Sequence, residues 1–187
     1  MWLCQPVNLK PPQSDNKQIY RVLPYVAPEV LRGKEYTQAS DIYGFGVIAY
    51  EVCTGLPPYH DIAHDEFLAI KICQELRPES NYKIPQLILD VIKQCWDAEY
   101  LNRPKAGEIL ELLMSITYFD EYNKQTEEAD EINKQLTSSA TSSTGALSFI
   151  THPQAVYTSK LLKFENLPEQ KNLDDNDHSL GTEFSGN

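Results

Sequence analysis

The 187-residue chain carries 27 acidic against 16 basic side chains, a formal net charge of −11, and is 41% hydrophobic. That length suits one ordinary domain plus a tail, and that balance suits a soluble acidic protein. It disfavours nucleic-acid binding, which needs a basic face to neutralise phosphates. The charge is uneven: residues 1–118 hold 11 basic and 15 acidic side chains, and the shorter 119–187 hold 5 and 12. A domain boundary between about 118 and 136 follows.

In chain order, residues 5–18 are polar and contain Pro6, Pro11 and Pro12, which makes a loop. A short apolar run, Ile19 to Tyr25, leads to Ala27-Pro28-Glu29, where Pro28 suits the first position of a helical turn. Taken alone, Glu29 is a helix-start acid favoured by the dipole. Ser40 to Gly55 is apolar on nearly every side (Ile42, Tyr43, Phe45, Val47, Ile48, Ala49, Tyr50, Val52, Cys53), as a buried helix is. Ser40 or Asp41 can cap its start and Gly55 can end it. Gly44 and Gly46 each cost a helix about 1 kcal/mol relative to alanine, so close backbone approach is expected there. The run is shorter than the roughly 20 apolar residues of a membrane span.

Leu56-Pro57-Pro58-Tyr59 forces a turn, and Asp65 to Leu76 has a helical apolar face ended by Pro78. Pro85 opens the next helix, whose positions 88, 91, 92, 95 and 96 form one stripe. A further helix carries Ala106, Ile109, Leu110, Leu113 and Ile116. A helix extension is expected over 119–136. Residues 137–187 read as an acidic tail without fixed fold, opened by the low-complexity TSSATSSTG. Within the tail, Val156 to Leu167 is the one apolar patch, and Tyr157 to Leu167 is a candidate docking segment that folds on binding. The four cysteines, Cys4, Cys53, Cys73 and Cys95, stand too far apart for a metal knuckle or a redox pair, and three sit on apolar helical faces. With no signal peptide or membrane span apparent, the expected setting is cytoplasmic.

Three of these stretches together resemble the protein kinase family of tyrosine-kinase-like and serine/threonine/tyrosine type. Tyr25-Val26-Ala27-Pro28-Glu29 is similar to the Ala-Pro-Glu end of an activation segment. Ser40-Asp41-Ile42-Tyr43-Gly44-Phe45-Gly46-Val47 resembles the start of the buried helix of the C-terminal lobe. Cys95-Trp96-Asp97 followed by Arg103-Pro104 resembles a late motif of that lobe. The resemblance implies a mainly α fold, the helical C-lobe part of a kinase domain over residues 1–118, built round the helix at about 40–54. It makes Ala27, Pro28, Glu29, Asp41, Trp96 and Arg103 structural positions. It implies a buried Glu29–Arg103 ion pair, a bracing role for Asp41 towards a catalytic loop, a protein substrate or partner, and a signalling context. Ser14 and Tyr20 fall in the stretch that relatives phosphorylate, so both are candidate regulatory sites.

The departures concern chemistry. Phosphoryl transfer uses a glycine-rich loop, a lysine paired with a glutamate, a catalytic-loop Asp and Asn, and the metal-binding Asp of D-F-G. None of these motifs occurs in the chain. Leu3-Cys4 resemble the residues after D-F-G, so Met1 and Trp2 stand where its last two residues belong. Arg21-Val22 occupy the place of the usual Gly-Thr. The expectation is a truncated, catalytically incompetent kinase-family chain with no catalytic, cofactor-binding or metal residues of its own, although the complete family uses ATP and Mg. The alternatives are a non-catalytic pseudokinase-like interaction module and a degenerate gene fragment. Two local patterns carry less. Gly44-Phe45-Gly46-Val47-Ile48-Ala49 matches a dinucleotide fingerprint but lies inside a helix with no strand before it. His60 and His64 have zincin spacing but sit in a loop after two prolines, as solvated loop histidines.

Overall fold

The computed structural model describes residues 19–116, 118, 120–140 and 150–171, with only the backbone described for Ile19, Ser139 and Ala140. Its central element is α2, Gln38–Thr54. Thr37 and Ser40 form a reciprocal capping box at its start, and Gly55 ends it in the left-handed region at φ 69°. The helix therefore starts earlier than a cap at Ser40 or Asp41 would allow. Ile42, Tyr43, Gly46, Val47, Tyr50 and Thr54 are buried. Phe45 is 40% and Val52 77% exposed, and Cys53 is exposed too, so α2 is not enclosed on all sides.

Shorter elements pack round this post. A 3-10 turn, Leu23–Tyr25, and the four-residue α1, Pro28–Leu31, lie on one side. Helix α3 spans Glu66–Cys73 and is capped by the Asp65 carboxylate, which accepts from the Phe67 and Leu68 amides. Helices α4, Gln86–Cys95, and α5, Ala106–Ile116, close the other side. Gly46 explains the approach of α2 to α4: a Cβ there would stand 2.8 Å from Cys95 Cβ and 3.3 Å from the Ile92 carbonyl oxygen. One apolar cluster joins Leu23, Val30, Tyr43, Val47, Leu68, Ile72, Ile92 and Trp96. A second joins Ile42, Val91, Cys95, Ile109 and Ile116. Because α2 contributes to both, it couples them.

Helix α6, Asp120–Ala140, runs past the 119–136 expected from the sequence. It is mostly polar and docks largely through amides. Asn133 accepts from the Lys83 N–H (2.7 Å) and donates to the Lys83 carbonyl (2.9 Å). The Gln125 side chain accepts from the Leu87 N–H (3.1 Å), serving an orphan donor at the start of α4 where Pro85 offers no cap.

The expectation of a tail without fixed fold differs from what residues 150–171 show. Strand β2, Lys160–Leu162, pairs antiparallel with β1, Ile19–Arg21, in the register Ile19 to Leu162 and Arg21 to Lys160. Leu162 is 5% exposed and joins the larger apolar cluster, with Phe164 and Leu167 against it. The reason is long-range: three-residue strands gain their backbone partners only from a segment some 140 positions away, and no local pattern signals that.

Candidate functional site

The site assembles where α1 meets the first turn of α2. Pro28 at the first helical position directs Glu29 inward, and Glu29 is 3% exposed rather than solvated. Arg103 follows the short 3-10 turn Tyr100–Asn102 and is 6% exposed. The two side chains form a bidentate pair, with Arg103 Nη1 donating to Glu29 Oε1 at 2.7 Å and Nη2 to Oε2 at 2.9 Å. The rest of the guanidinium donates to the carbonyls of Asp97 (2.8 Å), Ala39 (2.9 Å) and Ala98 (3.4 Å). Ser40 Oγ donates to Glu29 Oε1 at 3.0 Å. One ion pair thus holds α1, the start of α2 and the 97–98 turn together. Its polar atoms are satisfied, which is the condition for a buried pair to be tolerated.

Tyr43, fully buried, lies beneath this pair. Two guanidinium carbons, of Arg103 and Arg77, stand 5.1 and 5.4 Å from its ring centroid. Burial, only partly offset by these cations, pushes the Tyr43 phenol above its ordinary range. Arg77 Nε donates to the Trp96 carbonyl (3.0 Å), and Trp96 is 7% exposed with its ring 5.4 Å from that of Tyr50. Tyr25 donates its hydroxyl to Glu51 Oε2 (2.7 Å), and burial first, then Glu51, pushes this phenol well up. Sequence reasoning missed Arg77 and Glu51. Arg77 stands before Pro78 and looks like a helix-end cation, and Glu51 looks like a surface acid, so neither carried a signal.

The other predicted positions are dispersed. Ala27 and Pro28 are buried at the entry to α1. Asp41 is exposed on the first turn of α2 and accepts from the Tyr36 hydroxyl. Tyr20 lies on β1 and is 58% exposed; Ser14 lies outside the described residues. His64 is not a solvated loop residue but 1% exposed, and the described residues contain no cluster of three or more His, Cys, Asp or Glu able to hold a metal ion. The described residues do not fit a Mg–nucleotide group. No described helix is long and apolar enough to cross a membrane.

Residues 3–113 match the protein tyrosine and serine/threonine kinase family. A probable serine/threonine-protein kinase of Dictyostelium discoideum is 35% identical over 92 residues, covering 49% of this chain and 10% of that protein. The probable inactive serine/threonine-protein kinase roco10 of the same organism is 39% identical over 92 residues, covering 49% and 3%. Its dual specificity protein kinase zakA is 33% identical over 129 residues, covering 66% and 16%. The chain spans a tenth or less of the length of the first relatives. The chain belongs to the protein tyrosine and serine/threonine kinase family, and the described residues within the matched region are mainly helical.

Proposed function

We propose that this chain, as it stands, is the protein-binding, non-catalytic side of a kinase domain, a pseudokinase-like module acting in the cytoplasm. The observation that carries the reading is a contrast. The buried Glu29–Arg103 anchor between α1 and the start of α2 is complete. The sequence holds no glycine-rich loop, no lysine–glutamate pair, no catalytic-loop Asp and Asn, and no D-F-G. Phosphoryl transfer is positioning plus electrostatic stabilisation by metal and cationic side chains, and these are the groups that supply both. In this reading Glu29 and Arg103 set the activation-segment end on the helical lobe. Tyr20, exposed on β1, faces a protein partner, and Ser14 and Tyr20 are where phosphorylation would act.

The test uses the 187-residue chain with Mg-ATP. The expected result is no rise in melting temperature and no transfer of radioactive phosphate to a protein substrate. A rise of several degrees, or labelled substrate, overturns the reading. A second reading is supported by the small share of each relative that the chain spans: it is part of a longer, active kinase. Coding sequence continuing in frame upstream of Met1 through H-R-D and D-F-G would decide for it.

A further inference from the structure

Residues 150–171 lie outside the matched family region, and they cross the lobe through a chain of specific contacts. The His152 N–H donates to the His60 carbonyl (2.7 Å) and the His64 N–H to the Gln154 carbonyl (3.0 Å). The buried His64 ring meets residues 150–171 through Nδ1 and is held by the lobe through Nε2. Nδ1 stands 3.0 Å from both the backbone nitrogen and the carbonyl oxygen of Val156, while Nε2 stands 3.1 Å from the Tyr59 carbonyl oxygen. Tyr157 packs edge-on against His64 at 4.8 Å and donates its hydroxyl to the Pro58 carbonyl (2.9 Å). Lys160 Nζ donates to the His64 carbonyl. Strand β2 then covers β1, Leu162 enters the apolar cluster, Arg32 pairs with Glu169, and the Lys171 N–H donates to the Cys73 carbonyl (3.1 Å).

We propose that residues 150–171 are an exchangeable strap, an intramolecular strand-addition ligand that closes the β1 edge to other extended peptides, with His64 as its receptor side chain. Strand addition uses main-chain hydrogen bonds for affinity and pockets for alternate side chains for specificity, and both are present here. Leu162 enters the pocket while Leu161 stays 40% exposed, the alternation of a half-buried strand. Exchangeability follows from how little the strap buries. Leu162 is its one buried residue, and Tyr157, Phe164 and Leu167 are half-buried. The helices beneath are held by clusters centred on Tyr43, Val47, Ile92 and Ile109. Segments with few buried contacts open at lower free energy than the core. Tethering gives the strap an effective concentration on the order of millimolar, so a free peptide must outcompete it.

The test uses the full chain and a fluorescein-labelled synthetic peptide of residues 150–171. Leu162→Asp in the chain removes the buried contact without touching the Glu29–Arg103 anchor. The expected result is saturable peptide binding by the variant at least about tenfold tighter than by the unaltered chain, and no binding of a peptide carrying L162D itself. Equal binding by the two chains, or none by a variant whose circular dichroism is unchanged, overturns the proposal. Hydrogen exchange on the unaltered chain decides the matter if L162D does not fold. The amides of 19–21 and 160–162 should open together while those of α2 stay protected. Strap amides that exchange only with α2, or that show no protection, overturn it. A chain that is a swapped dimer at every concentration overturns the cis assignment. Nucleotide binding enters none of these readouts, so a Mg-ATP response would overturn the proposed function and leave the strap standing.

Discussion

Replacing Arg103 by alanine removes five hydrogen bonds at once: two to Glu29 and one each to the carbonyls of Ala39, Asp97 and Ala98. What remains is a carboxylate 3% exposed, with Ser40 Oγ still donating to it. Breaking a buried pair by deleting one partner typically costs about 3–5 kcal/mol, because the surviving charge is stranded. For a chain of this size each kcal/mol moves the melting temperature by about 2–4 °C, so Arg103→Ala should lower it by roughly 6–20 °C. A double substitution tests the cause. Glu29→Met with Arg103→Met strands no charge, so the pair should cost less than the sum of the two single changes, with a coupling of about 1–3 kcal/mol. The double variant stays less stable than the parent, since three carbonyls lose their donor. Calorimetry or thermally monitored circular dichroism reads both quantities. An Arg103→Ala melt within a degree of the parent, or strictly additive singles, would refute the idea that this pair ties α1 to the lobe.

Gly46→Ala should destabilise by up to about 2 kcal/mol in urea unfolding. Its Cβ would meet Cys95 Cβ at 2.8 Å, and overpacking of about 1–3 kcal/mol exceeds the roughly 1 kcal/mol of helix propensity gained. Gly44→Ala meets only the Tyr25 carbonyl at 3.2 Å and should be close to neutral; the reverse order would disprove the close-approach argument. Burial pushes the Cys73 and Cys95 thiols up to about 11, and burial with Glu79 nearby pushes the Tyr50 phenol up to about 12. All three hold their protons more tightly in the folded chain. The stability they contribute is complete below pH 9 for the thiols and below pH 10 for the phenol. It is lost as pH rises through about 11 and 12. Melting temperature should therefore fall steadily above pH 9, and a flat profile to pH 12 would count against it. In thiol labelling at pH 8, exposed Cys53 should react well before buried Cys73 and Cys95.

Much of the helical frame was legible because its signals are local. Pro28 and Pro85 mark helix boundaries by geometry that any context must obey, whereas α3 stops at Cys73, short of the Leu76 end before Pro78 that the sequence suggested. The apolar stripe of α4 follows from periodicity, while on α5 Ile109 and Ile116 are buried but Leu110 is 59% exposed, and Gly44 and Gly46 announced a close approach by their cost alone. Other features were read wrongly or not at all because their causes are distant. Thr37 rather than Ser40 caps α2, and Phe45 and Val52 face outward, since burial depends on which neighbours are present. His64 looked solvated because the backbone of Val156 that occupies its ring nitrogen lies 92 positions along the chain.

By itself the amino-acid order determined the helices, their capping glycine and prolines, the acidic balance and the missing phosphate-handling motifs, since each depends on neighbours within a few residues. Only the tertiary structure decided that Ser40 and Tyr43 join the Glu29–Arg103 pair that the family resemblance implied, and that residues 150–171 lie across β1. The physical reason is the same in both cases. A carboxylate or a three-residue strand has no preferred partner in its own stretch of chain, and its energy is set by the donor that folding brings to it.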